Sequence, residues 1–159
     1  MKLSTQEEYG LRLLLQLARE GEAASLTIAE LSRREGISSP NVAKIMRVLR
    51  RCGLVKSLRG QAGGYTIARP GEAMSVGEVL SALGGRLYDA GFCDSHAGAG
   101  SSCAHLSDCS IRPVLRQVQN VLDDVLGRLT LASLLGSERE VTGLAVSRHR
   151  RIPLALTGS

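Results

Sequence analysis

The chain has 159 residues, 43% of them hydrophobic, which suits one domain with a core of its own and excludes a chain disordered by composition. No apolar run is long enough to cross a bilayer, and "MKLSTQEEYG" lacks the apolar core of a signal peptide, so a cytoplasmic location with no membrane partner is expected. The net charge of +5 is unevenly spread: from Gly36 to Gly71 there is no Asp or Glu, yet Lys44, Arg47, Arg50, Arg51, Lys56, Arg59 and Arg69 all occur there, and a one-sign segment points to a polyanion.

In chain order, the first predicted helix covers 5–20. Leu11, Leu14, Leu15 and Ala18 have helical spacing, and Gly21 marks the end. Its start offers two capping boxes, Thr5 with Glu8 or Ser4 with Glu7. A second helix, "IAELSRRE", follows Thr27 as cap with Glu30 at the matching position and stops at Gly36. A third, "PNVAKIMRVLRRCG", is expected to be capped by Ser38 or Ser39, with Pro40 at its first position. Val42, Ile45, Met46 and Leu49 make its apolar face, leaving Asn41, Lys44, Arg47 and Arg51 to point elsewhere.

Two helices across a short Gly-containing turn form a helix-turn-helix. "LVKSLR", "GQAGG" and "YTIARP" then read as a β-hairpin with a Gly-rich tip. Together they predict a winged helix, mainly α with a small β-wing, whose third helix enters the major groove of double-stranded DNA. Asn and Arg can read base edges and Lys holds phosphate, so Asn41, Lys44 and Arg47 are candidate contacts, with Ser38 and Ser39 at the helix start. Arg59 and Gly60 are candidates at the wing tip, where glycine lets backbone approach DNA. Gly63 and Gly64 are expected to shape the turn, and Tyr65 to pack at the wing base.

A short helix is predicted from about Ser75 to Leu83. The next stretch, "FCDSHAGAGSSCAHLSDCS", holds three of the four cysteines and two of the three histidines. It is too polar for core. In a reducing compartment, clustered thiols point to metal or redox chemistry rather than structural disulfides. Iron–sulfur chemistry and zinc both suit thiolates, although the paired spacing zinc favours is absent; a thiol switch is the other reading. Cys52, at the end of the third helix, is expected to be a buried or half-buried thiol.

Ser110 is expected to cap a long helix bearing heptad-spaced Ile111, Val118 and Val125, and likewise Leu115, Leu122 and Leu129. At about 23 residues it would be a rod of roughly 35 Å, with a stripe too long for a small winged helix to cover, and so a homodimer seam. The expected organisation is a DNA-binding domain at 1–85, a cysteine-rich loop at 86–110, a dimerisation helix at 111–136 and a flexible basic tail at 137–159. An enzyme is not expected: there is no nucleotide-binding loop, no C-x-x-C pair, one Phe and no Trp.

"MKLSTQEEYGLRLLLQLA", "ISSPNVAKIMRVLRRCGLVKSLRGQAGGYTIARP" and "MSVGEVLSAL" resemble the bacterial winged-helix regulators that include IscR, NsrR and RirA. "RGQAGGY" matches the family's wing pattern Arg-Gly-x-x-Gly-Gly-Tyr, and the resemblance runs from residue 1 to about 135. It implies a dimeric transcription regulator, expected to be a repressor of a pseudo-palindromic operator. Its affinity would be controlled by an iron–sulfur cluster sensing redox state, nitric oxide or iron supply. The resemblance places that cluster, 2Fe–2S or 4Fe–4S, on Cys93, Cys103 and Cys109. The family's gaps of five residues hold from Cys103 to Cys109, but Cys93 to Cys103 spans nine. IscR-like members carry a His three residues after the third Cys, where this chain has Arg112. NsrR-like members use an acidic residue near the partner's N-terminus, and the matching position is Glu8. His96 and His105 are the local competitors. The alternatives are a winged-helix regulator without a cluster, sensing through thiols or zinc, and a cysteine-based redox enzyme.

Overall fold

The computed structural model describes residues 3–60, 63–100 and 102–149. Helix α1 (Thr5–Glu20) opens on the Ser4/Glu7 box: the Glu7 N–H donates to Ser4 Oγ at 3.3 Å and the Ser4 N–H to Glu7 Oε2 at 2.7 Å. The Thr5/Glu8 alternative is not used. Helix α2 (Ile28–Glu35) carries the second box, in which Glu30 Oε2 accepts from the Thr27 N–H and hydroxyl at 2.8 and 2.7 Å. Those bonds favour the charged carboxylate and hold the Glu30 pKa below its ordinary value. Gly36 then takes the left-handed conformation that ends α2.

Helix α3 (Ser39–Arg51) buries Val42, Ile45, Met46 and Leu49 and exposes Asn41, Lys44, Arg47 and Arg51, as its pattern requires. Its start differs from expectation. Ser38 sits at the cap without a side-chain bond, and Pro40 is the second helical residue, a place that equally needs no N–H. Cys52 is exposed rather than buried, because it lies just past the last core residue of α3 on the solvent side.

Strands β1 (Val55–Leu58) and β2 (Gly64–Ile67) form an antiparallel pair in the register Val55↔Ile67 to Leu58↔Gly64. Leu26 adds a bridge to Tyr65, with N–H···O distances of 2.9 and 2.8 Å. Gly64 makes that approach possible: a Cβ there would stand 2.7 Å from the Leu26 carbonyl oxygen. Tyr65 packs against the core at the wing base, as expected.

Helix α4 (Val76–Ala82) follows, with Ser75 Oγ accepting the Glu78 N–H at 3.1 Å. Then come a single turn, α5 (Phe92–Ser95), the long helix α6 (Ile111–Gly127) and α7 (Glu138–His149). The core gathers Leu13, Leu14, Leu31, Leu49, Leu54, Met74 and Val79 between α1, α3, α4 and the wing.

Three expectations fail in the C-terminal third. Helix α6 has 17 residues, about 25 Å of rod, and ends at Gly127. Beyond it the chain turns back: the Val76 N–H donates to Leu129 O and the Leu131 N–H to Met74 O, both at 2.8 Å, and Leu131 is buried in the head. A residue bonded sideways to an extended neighbour cannot also stay in a helix, which is why the rod stops. Ser110 makes no side-chain cap to α6. The expected flexible tail is helical over Glu138–His149, started by a Ser137/Glu140 box; residues 150–159 lie outside the described residues. Among the described residues no helix is long and apolar enough to cross a membrane.

Candidate nucleic-acid interface and thiol loop

The candidate DNA contacts are all exposed. Ser38, Ser39, Asn41, Lys44 and Arg47 lie at the start and outer face of α3, and Arg59 and Gly60 at the wing. The Arg50 guanidinium donates to Ser57 Oγ at 3.3 Å and ties the helix to β1. Gly60 has φ +99° and its carbonyl accepts the Gly63 N–H at 2.9 Å, closing the turn around the tip. Among the described residues Lys44, Arg47 and Arg59 enter no ion pair, whereas Arg69, from the same acid-free run, is bound to Glu78. Free cations over a rigid helix and wing can neutralise phosphates, which is what a duplex requires. Arg59→Ala is expected to weaken operator binding by about 1–3 kcal/mol in a fluorescence titration; unchanged affinity would remove the wing from recognition.

Cys93, Cys103 and Cys109 follow α4 in the chain, before α6. Cys93 is in α5, where Phe92 stacks on His96 at 4.2 Å and His96 Nδ1 lies 2.8 Å from the Phe92 carbonyl. That ring is already engaged by its own turn. Cys103 and Cys109 are in irregular chain before α6. All three thiols are half-buried and free of disulfides, and among the described residues none makes a hydrogen bond. A groove of about 510 Å³ opens beside Cys93, lined also by Arg86, Tyr88, Leu106, Arg112 and Arg116.

The floor of this region depends on a residue that the sequence reading missed. Gln119 is buried on α6; its Oε1 accepts the N–H groups of Leu87 and Tyr88 at 2.7 and 3.1 Å, and its Nε2 donates to Asp123 at 2.8 Å. Asp123 also accepts from Arg86 at 2.6 Å. A lone Gln beside an apolar stripe gave no signal, because its partners are backbone groups more than 30 residues away.

Glu8 is engaged elsewhere than at a thiol. It is exposed on α1 and pairs with Arg12 at 3.4 Å; Arg12 in turn donates to Glu35 Oε2 at 2.8 Å and to the Glu35 carbonyl at 2.6 Å. The bond to Glu35, more than that to Glu8, raises the Arg12 pKa. His105 is exposed, with its carbonyl held by Arg112. Among the described residues, no three His, Cys, Asp or Glu side chains are close enough to hold a metal. One face of α6 stays open: Ile111, Val114, Val118 and Val121 are 64, 60, 41 and 39% exposed.

Residues 3–137 match the family model described as Rrf2, "Iron-dependent Transcriptional regulator". The chain belongs to the Rrf2 family. It is 30% identical over 149 residues to the HTH-type transcriptional regulator IscR of Escherichia coli O1:K1, covering 94% of this chain and 88% of that one. Among solved structures it is similar to T. potens IscR, with a TM-score of 0.65 and 30% identity over 85% of this chain and 86% of that one. CymR, the global cysteine regulator of B. subtilis, shares the fold at a TM-score of 0.65 and 23% identity, covering 85% and 96%. This Rrf2 protein is therefore a winged-helix, DNA-binding transcription regulator, and the relatives it matches are regulators rather than enzymes.

Proposed function

We propose that this Rrf2 regulator acts as a homodimer on a pseudo-palindromic operator, as a repressor, and that an iron–sulfur cluster on Cys93, Cys103 and Cys109 sets its affinity. The observation that supports this most is the state of the thiols: three half-buried sulfurs, free of disulfides and, among the described residues, without hydrogen bonds, in a chain whose next helix bears an exposed apolar stripe. The donor set fits, since soft, unengaged thiolates are what iron–sulfur chemistry takes. A bound cluster would supply an electron- and nitric oxide-sensitive centre.

The protein's own residues do the rest. The α6 stripe pairs two copies, Glu8 from a second copy completes the ligands, and the α4–α6 contact carries a change at the thiols to the head. Coupling of about 1–3 kcal/mol would change operator affinity 5- to 150-fold. A second reading is a sensor working through thiols or zinc; its thiol form is favoured because, among the described residues, no three His, Cys, Asp or Glu side chains are close enough to hold a metal. Purification without air separates the two. Visible absorbance with iron and acid-labile sulfide supports the cluster; a colourless dimer, with or without zinc, supports the alternative.

A further inference from the structure

Residues 102–109 carry two of the proposed ligands, yet almost nothing holds them. Among the described residues their hydrogen bonds reduce to three. One is internal, the Leu106 N–H donating to the Cys103 carbonyl at 3.2 Å, which makes the turn. The other two come from one side chain. Arg112 Nη2, in the first turn of α6, donates to the carbonyls of His105 at 3.1 Å and Leu106 at 2.8 Å. Its two N–H bonds thus span consecutive carbonyls at the crest of the turn between Cys103 and Cys109. The same residue lines the groove onto which Cys93 opens. Apolar packing offers no substitute, since Leu106 is 57% exposed, and Ser110 makes no cap to hold the junction.

We propose that Arg112 is the positioning residue of the thiol site. It fixes the backbone of the Cys103–Cys109 turn to the start of α6, so less of the turn is left to order when the sulfurs are drawn together. This rests on the cluster reading above. The physical argument is preorganisation: a loop rich in Gly and Ser loses much conformational freedom when its thiols are gathered, and a charged donor on two carbonyls removes part of that freedom in advance. Residues that orient ligands typically govern retention about 10- to 100-fold. Helix α6 is also the stripe-bearing helix, so the turn is anchored to the same element that faces a second copy.

The test compares the wild-type dimer with Arg112→Ala and Arg112→Lys, all full-length and purified without air. Two quantities are read: the half-time of iron loss to a chelator, and amide exchange at Leu106 in the stripped protein. Arg112→Ala is expected to shorten retention about 10-fold or more and to speed Leu106 exchange, with dimer mass and far-UV circular dichroism unchanged. Arg112→Lys, which keeps a charged donor of shorter reach, should recover part of both. A wild-type protein that holds iron while Arg112→Ala holds it as long, or leaves Leu106 exchange unchanged, overturns the role of Arg112. A wild-type protein without iron overturns the cluster reading and this proposal together, and that result is read from the wild type alone.

Discussion

Leu131→Ala is expected to destabilise the protein by about 2–5 kcal/mol, the range for removing a fully buried Leu from a packed core. At this chain length that corresponds to a fall in Tm of roughly 4–20 °C. The side chain is 0% exposed among the head residues, although it stands in sequence beyond the long helix. Its N–H bonds to Met74 O and the neighbouring Leu129 O accepts from Val76, so residues 129–131 tie the far end of α6 to the start of α4. That tie makes the head and the helix one unit. It adds to the bonds of Gln119 with Leu87 and Tyr88 and of Asp123 with Arg86, and in the proposed coupling it is one route from α6 to the head. Urea unfolding of the single variant measures the cost. A loss below about 1 kcal/mol would mean that the segment contributes little to the head in solution and that this tie is no part of the coupling route.

Cys103→Ala is expected to abolish cofactor retention while leaving a folded dimer. The turn uses the backbone carbonyl of Cys103, which alanine keeps, and among the described residues the half-buried thiol makes no hydrogen bond that folding would miss. A change in stability of no more than about 1 kcal/mol should follow, as for other substitutions outside a tight core. Iron and sulfide analysis together with size-exclusion mass measurement separate the two effects. A variant that still carries the wild-type complement of iron and sulfide would refute the ligand set.

The head was legible because local signals and burial agree there. The Thr27/Glu30 box, the αL glycine at 36 and the Val42–Ile45–Met46–Leu49 stripe each act within a few residues, and each appears where the sequence places it. Element α6 was misjudged for the opposite reason. Its heptad pattern runs on through Leu129, but the pairing of Leu129 and Leu131 with residues 74–76 is a long-range contact that no local period reveals. Helix α7 was missed because its sequence is polar with no apolar stripe; only the Ser137/Glu140 box marks its start. The thiol loop was legible in composition and not in geometry. Three soft ligands in a polar stretch are visible by eye, whereas the hold of Arg112 on carbonyls 105 and 106, and of Gln119 on 87 and 88, depends on backbone groups that carry no sequence signature.

The central claim is that chemistry at the thiols controls the grip of the winged helices on DNA. The direct measurement is operator affinity of the oxygen-protected dimer, with its iron and sulfide in place and again after they are removed, at one fixed salt concentration because phosphate contacts make binding salt-dependent. A difference of about 5- to 150-fold between the two forms is predicted. Equal affinity, in a protein shown to have carried the metal, would contradict the claim.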